Sequence, residues 1–348
     1  MKKRLKILFV GLGAIGQRHA RNLRKLHGKN IDLFAYRTSR RTHVLTDRLE
    51  VRKGGNLERD LNIKTFSKYG KALEQKPDAV IISNPSSLHL RFALRAAQKG
   101  CHLFIEKPLS NDLKGVNSLI EVIKKKKLIS LIGFQLRFHP LLLYVKKLIE
   151  YKKTNNIISV ICEFGEYLPD WHPYEDYRKS YAARRELGGG VLLTQIHDFD
   201  YLGWLFGWPT KVFCLGGKLS KLEVSVEDTA NTLLQCGTDK KKIPVFVHQD
   251  YLQRPRVRKF KIIIEDSLIT VDLISNALSI HQKKRGTTKN IQFSRNSRNH
   301  LYLSEMKHFL ACLRGKEKSR VSVEESVKSL RVAIAARKSL QNGKAVLL

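Results

Sequence analysis

The chain has 348 residues, 42% of them hydrophobic, with 22 Gly and 9 Pro; this suits a globular protein with two cored domains and excludes a disordered one. The formal charge of +34 is spread out, residues 1–120 holding 25 Lys/Arg against 9 Asp/Glu and residues 121–348 holding 40 against 22, so it marks no single basic arm. The five cysteines, Cys101, Cys162, Cys214, Cys236 and Cys312, form no C-x-x-C, which argues against a disulfide framework and a zinc site and favours a reducing compartment.

The N-terminus MKKRLKILFVGLGAIG imitates a signal peptide, but no small-residue cleavage site follows. A cytoplasmic location is expected. The apolar run Ile7 to Val10 reads as a strand. Gly11, Gly13 and Gly16 follow in G-x-G-x-x-G spacing, with Ala14 and Ile15 inside the motif. A helix comes next, with Ile15, His19, Leu23 and Leu26 on one face. Gly11 permits the tight turn, Gly13 lets backbone approach a pyrophosphate, and Gly16 lets helix and strand pack closely. The free N–H groups of the helix N-terminus suit the phosphates. His19 reads as a core or phosphate-adjacent residue.

The second strand, IDLFAY, ends on YRTSRR. A carboxylate at that tip would bind a ribose 2′-hydroxyl and favour NAD. Arg37, Thr38, Ser39, Arg40 and Arg41 instead suit a 2′-phosphate, so NADP(H) is favoured over NAD(H). Next come NIKTF, a helix to Gln75, the strand DAVIISNP and a helix from about Ser87. The strand HLFIEKP, a helix from Asp112 to Lys126 and the strand ISLIGFQLRF complete this half. Such alternation means a doubly wound parallel sheet, whose ligands bind at the carboxyl ends of strands. Asn84 and Pro85, with His89 just beyond, and Glu106 and Lys107 therefore stand on the cofactor side. His89 and His139 read as supports rather than catalysts.

From about residue 157, strands dominate: IISVICEFGEY, KVFCLGGKL, ANTLLQCG, IPVFVHQDYLQ, KFKIIIED and LITVDL. Their short connections predict a mostly antiparallel sheet. It is interrupted by ELGGGVLLTQIHDFDYLGWLFGWP, read as one helix from about Val191 to Phe206, with Thr194 one turn before His197. Amphipathic helices are expected at about 303–314 and 323–341.

At GLGAIGQRHA, DAVIISNPSSLHLRFALRAAQKGCHLFIEKPLS, GFQLRFHP, GGGVLLTQIHDFDYLGWLFG, EDTA and EMKHFLACLRG, the chain resembles the Gfo/Idh/MocA oxidoreductases over nearly its whole length. The resemblance implies an α/β protein. Residues 1–130 would form a Rossmann NAD(P)-binding domain. Residues 131–348 would form an α+β substrate and oligomerisation domain with an open, mostly antiparallel sheet, the C-terminal helices packing back on the first domain. It implies sugar, cyclitol or nucleotide-sugar substrates and a homodimer or homotetramer formed through that sheet. It makes Lys107 the proton donor or acceptor beside the nicotinamide, with a cis Lys107–Pro108 bond, and places the catalytic histidine at His197. One departure stands out. Many members carry an aspartate four residues before that histidine, and here Leu193 or Thr194 occupies the place. The proton relay that the resemblance implies is therefore incomplete here, or rebuilt from Asp198, Asp200 or an acid such as Asp176.

Arg137, Trp171, His172, Tyr177 and Arg178, with Thr194, His197 and Asp198, are the expected substrate contacts; forks and flat rings suit a sugar bearing anionic groups. No metal site is expected. The basic clusters Lys124–Lys127 and KKRGTTK carry no interleaved aromatics, so a solvated face attracting anionic ligands is expected rather than a nucleic-acid surface. No run of 18 apolar residues suggests a membrane span. The competing reading is a redox-silent, cofactor-binding regulator on the same fold. The intact Lys107 speaks against it.

Overall fold

The computed structural model describes residues 4–38, 43–151, 157–238, 241–294 and 298–348. They divide into two compact units. One is Met1–Gln135 with His172–Glu175 and Arg298–Val327, and the other is Leu136–Trp171 with Asp176–Ser297 and Lys328–Leu348.

In the first unit, β1 (Leu5–Val10), α1 (Ala14–His27), β2 (Ile31–Tyr36), α2 (Leu57–Leu61), β3 (Ile63–Phe66), α3 (Tyr69–Leu73), β4 (Ala79–Ile82), α4 (His89–Gln98), β5 (His102–Glu106), α5 (Val116–Lys125) and β6 (Ser130–Gly133) alternate along the chain. The strands form one parallel sheet in the order β3-β2-β1-β4-β5-β6. Helices cover such a sheet on both faces, so its central strands are apolar without alternation. Ile7, Leu8, Phe9, Val80, Ile81, Ile82, Leu103, Phe104 and Ile105 are all fully buried. The strand order reverses between β1 and β4, and a crevice opens at that point beyond the carboxyl ends.

The second unit begins with α6 (Pro140–Tyr151) and β7 (Ile157–Gly165). After several single 3₁₀ turns come α7 (Val191–Thr194) and α8 (His197–Phe206). The strands β8 (Lys211–Gly217), β9 (Thr229–Thr238), β10 (Lys241–Asp250), β11 (Val257–Ile264), β12 (Ser267–Asp272), β13 (Ala277–Gln282) and β14 (Thr287–Gln292) follow. The chain continues through α9 (Arg298–Leu313), which belongs to the first unit, and α10 (Val323–Asn342), and ends on β15 (Val346–Leu347). The nine-stranded order is β14-β13-β12-β11-β7-β10-β9-β8-β15. Every pair is antiparallel except β7 with β10. Alternation sends Val160, Cys162, Val245, Val247, Phe260 and Ile262 into the core. On the opposite face, Phe213, Leu233, Phe246 and Ile161 are register neighbours across β8, β9, β10 and β7. Leu233 and Ile161 are about half exposed, at 51% and 43%.

Local chemistry shifts several expected boundaries. The helix expected from Asp112 starts at Val116: Asp112 Oδ1 accepts from the Lys114 N–H in a turn, and Gly115 adopts a left-handed φ of 78°. The strand expected through Phe138 stops at Gly133, and Gln135–Phe138 form a 3₁₀ turn. The single helix expected over 191–206 is two. Its break carries i→i+3 bonds, Ile196 N–H to the Leu193 carbonyl and Asp198 N–H to the Gln195 carbonyl. No helix of the described residues is long and apolar enough to cross a membrane. The five cysteines are buried and free.

Candidate active site

The first unit builds a cradle between the tips of β1 and β4. Gly11 has φ +94°, and a Cβ there would lie 3.1 Å from the Asn84 nitrogen. A Cβ on Gly16 would meet the Gly11 carbonyl and Ser83 Oγ at 2.7 Å. These two glycines are required by close packing. Gly13 is different: nothing lies within 4 Å of its Cβ position. It opens α1 with no side-chain cap and no acid in the first turn. The first N–H groups of α1 thus face open space with the helix dipole behind them. Ala14 and Ile15 begin that turn, both half-buried. Asn84 Oδ1 is buried without a protein hydrogen bond. An open backbone nest and an unspent polar atom at a strand-order reversal fit a dinucleotide.

At the β2 tip, the Arg37 N–H donates to the Phe66 carbonyl at 3.1 Å and Thr38 is exposed. Ser39, Arg40 and Arg41 lie outside the described residues. Glu58, distant in sequence, faces Arg37 electrostatically. Hydrogen bonds from the Thr65 hydroxyl and N–H hold its carboxyl below the usual range. The reading of this tip as free of acids therefore holds only along the chain.

At the β5 tip, Glu106 is buried and Lys107 half-buried, and the Lys107–Pro108 bond is cis. Glu106 Oε1 lies 2.6 Å from Nε2 of His19, a fully buried ring set edge-on to Phe104. Glu106 Oε2 accepts from the Lys107 N–H at 3.3 Å. The same carboxylate fills the Cβ position of Gly133 on β6, at 3.0 Å. His89 is buried with its two ring nitrogens 2.8 Å from the Pro108 and Asn84 carbonyls. Burial pushes its pKa down, so the neutral ring donates to one carbonyl and braces the SNP tip against the EKP tip.

In the second unit, His197 opens α8 and is 4% exposed. Thr194 turns inward: its hydroxyl donates to the Gly190 carbonyl at 2.9 Å and lies 2.6 Å from the Tyr251 hydroxyl. The three carboxylates considered as replacements for an acid there have cations of their own. Asp200 receives a bidentate fork from Arg137 at 2.7 and 3.0 Å, with both residues buried and Arg137 stacked over Trp204. Asp176 is clasped by Arg178, which also reaches Glu223. Asp198 accepts from Gln249 Nε2 at 3.0 Å and has Arg258 Nε 3.6 Å away.

Of the remaining expected contacts, Trp171 packs edge-on to Tyr251, and its buried indole N–H has no protein partner. Tyr177 accepts from the Glu223 N–H. His172, grouped with the first unit, sits 3.1 Å from Glu175. Burial pushes His139 down to about 4, which keeps it neutral, a support.

Family models match both parts of the chain. The oxidoreductase-family NAD-binding Rossmann fold matches residues 5–134, and the C-terminal alpha/beta domain of the same family matches residues 146–348. The chain belongs to the Gfo/Idh/MocA oxidoreductases. It is 27% identical to a myo-inositol 2-dehydrogenase of Thermotoga maritima, covering 99% of this chain and 98% of that protein. It is 25% identical to a scyllo-inositol 2-dehydrogenase (NAD(+)) of Bacillus subtilis, covering 100% and 97%. Among solved structures, the WlbA dehydrogenase of Bordetella pertussis in complex with NADH and UDP-GlcNAcA superposes with a TM-score of 0.78 at 21% identity, over 99% of each chain. Like these dehydrogenases, this chain is an NAD(P)-dependent oxidoreductase.

Within this Gfo/Idh/MocA chain, sequence reasoning missed Gln249, Tyr251 and Arg258. They lie on β10, just after it and on β11, outside any motif, and reach Thr194 and Asp198 only through the fold. The Gln195 carbonyl also accepts from Gln249, and its side chain from Arg258. The Arg137–Asp200 pair yields a stability prediction. Asp200→Ala strands a buried guanidinium and should lower unfolding free energy by about 3–5 kcal/mol, measured by urea denaturation. A loss below about 1 kcal/mol would contradict a buried pair.

Proposed function

We propose that this enzyme moves a hydride between a nicotinamide and the hydroxyl- or keto-bearing carbon of a sugar, cyclitol or nucleotide sugar, with Lys107 as proton donor or acceptor. The observation that carries the reading is the E-K-P tip. A half-buried lysine stands at the carboxyl end of β5, its backbone held by Glu106 and its following carbonyl by His89. The inositol dehydrogenases matched end to end support the substrate class.

The bound nicotinamide supplies or takes up the hydride. The protein's share is binding, orientation and the proton. The open turn at Gly13 and the first N–H groups of α1 hold the pyrophosphate, and Asn84 offers its amide to the ribose side. Lys107 Nζ takes the hydroxyl proton in oxidation and returns one in reduction. His197 is the second proton-handling or orienting group. Trp171, with its unspent N–H, together with Tyr177 and His172, contacts the substrate. Arg137 fixes α8 through Asp200 and shapes the site from behind.

NADP(H) is the preferred cofactor on this reading. Arg37 and Thr38 stand at the β2 tip, and Ser39, Arg40 and Arg41 follow in the chain. The row Phe213, Leu233, Phe246 and Ile161 is the surface that a second copy of this chain covers, which makes the enzyme a homo-oligomer.

Three outcomes test these readings. Lys107→Met should bind cofactor normally and lose turnover by at least about 10²-fold. Lys107→Arg should fail equally, because a guanidinium keeps its proton; near-normal rates in either variant refute the lysine's role. In fluorescence titrations NADPH should bind more tightly than NADH, with Arg37→Ala narrowing the gap. Tighter NADH binding sinks the preference. Sedimentation should give an oligomer that Leu233→Lys shifts toward monomer, and a wild-type monomer at micromolar concentration rejects the interface.

A further inference from the structure

Behind the E-K-P tip lies a carboxyl that the proposed chemistry leaves unused. Glu305 on α9 is 0% exposed, and neither of its oxygens has a hydrogen-bond partner. Its position follows from its neighbours on the helix. Tyr302, one turn before it, has its ring 6.1 Å from His19, and Phe309, one turn after it, is 5.5 Å from Phe104. Glu305 thus lies on the helix face packed against His19 and Phe104, and Phe104 stands two residues before Glu106 on β5. Two carboxyl groups are therefore buried together, one bound to His19 and one bound to nothing.

Two such groups in a dry site do not both ionise. Burial is the main cause that raises the Glu305 carboxyl well above the carboxylate range, and the charge on Glu106 adds to it. The other ionisable groups around the pair are His19 on α1, Lys107 at the strand tip and His89 on α4, with Tyr302 and the stacked Arg18 at the far end of the α9 face.

We propose that Glu106 and Glu305 together hold one proton that leaves for solvent when the oxidised, positively charged nicotinamide binds at the E-K-P tip. This rests on the reading that the nicotinamide docks there. The binding step breaks one carboxyl O–H bond and involves no electron transfer. The cationic ring gains a buried carboxylate as counter-charge. The reduced ring is neutral and has no use for one, so the pair lets pH discriminate between the two redox forms of the cofactor.

The test is calorimetric titration of the whole protein with NADP⁺, NADPH and 2′-phospho-ADP-ribose, which lacks the ring, between pH 6 and 8.5 in buffers of differing ionisation enthalpy. NADP⁺ should tighten with rising pH, by up to about tenfold per unit, and release close to one proton. NADPH and the ring-less fragment should show neither effect. Glu305→Gln should abolish the pH dependence, and Lys107→Met should keep it. The contribution of Glu305 to stability should fall as the pH rises above about 4.3, where the unfolded chain releases a proton that the folded one retains, so wild type should lose stability relative to Glu305→Gln over that range. Glu305→Gln should lose that fall, which also reports whether the variant is folded. Equal pH dependence for NADP⁺ and NADPH, or its survival in Glu305→Gln, overturns the proposal. Its loss in Lys107→Met assigns the proton to the lysine and overturns it as well. Failure of wild type to bind any nicotinamide overturns the docking reading instead.

Discussion

A single carboxylate, that of Glu106, organises the end of the parallel sheet. It accepts from His19 on α1 and from the Lys107 backbone, and it occupies the place where β6 would carry a Cβ. The helix α1, the tip of β5 and the end of β6 thereby meet at one buried point. The position of Lys107 then follows from the strand, from the anchor before it and from the His89 brace after it. Buried hydrogen bonds to a charged group are the strong ones, and they hold this tip.

The second unit follows a different logic. Its site residues are not carried on strand tips but on the broken helix pair α7–α8, laid over the buried face of an open sheet. Gln249 and Arg258 reach that junction from beneath through the Gln195 carbonyl, the Gln195 side chain and Asp198, and Arg137 holds Asp200 from the side. Thr194 has turned inward to Tyr251. The segment is therefore held by neutral and ion-paired contacts.

The legibility of the sequence divides along the same line. The doubly wound sheet was readable because its signals are local: apolar runs, glycine spacing and helical periodicity. Lys107, Glu106 and Gly16 were readable because each belongs to a contiguous motif at a strand end. The helix break at Gln195 was not, since no proline or glycine marks it and its tight turn depends on contacts from β10 and β11. Arg258 and Gln249 were invisible for the same reason, being inward positions on ordinary strands. Glu58 escaped because it meets Arg37 only after β2 and β3 pair. Glu305 looked like one more polar residue in an amphipathic helix, and only its complete burial sets it apart.

Gly133 has no functional group, bears on no substrate and ends an unremarkable strand. Yet its missing side chain is the space that the Glu106 carboxylate fills. A methyl group there would push on the anchor of Lys107 from the neighbouring strand. The set of positions under functional constraint in this enzyme is thus wider than the set of residues with reactive atoms. A side chain at residue 133 would displace the Glu106 carboxylate and, through it, the Lys107 backbone.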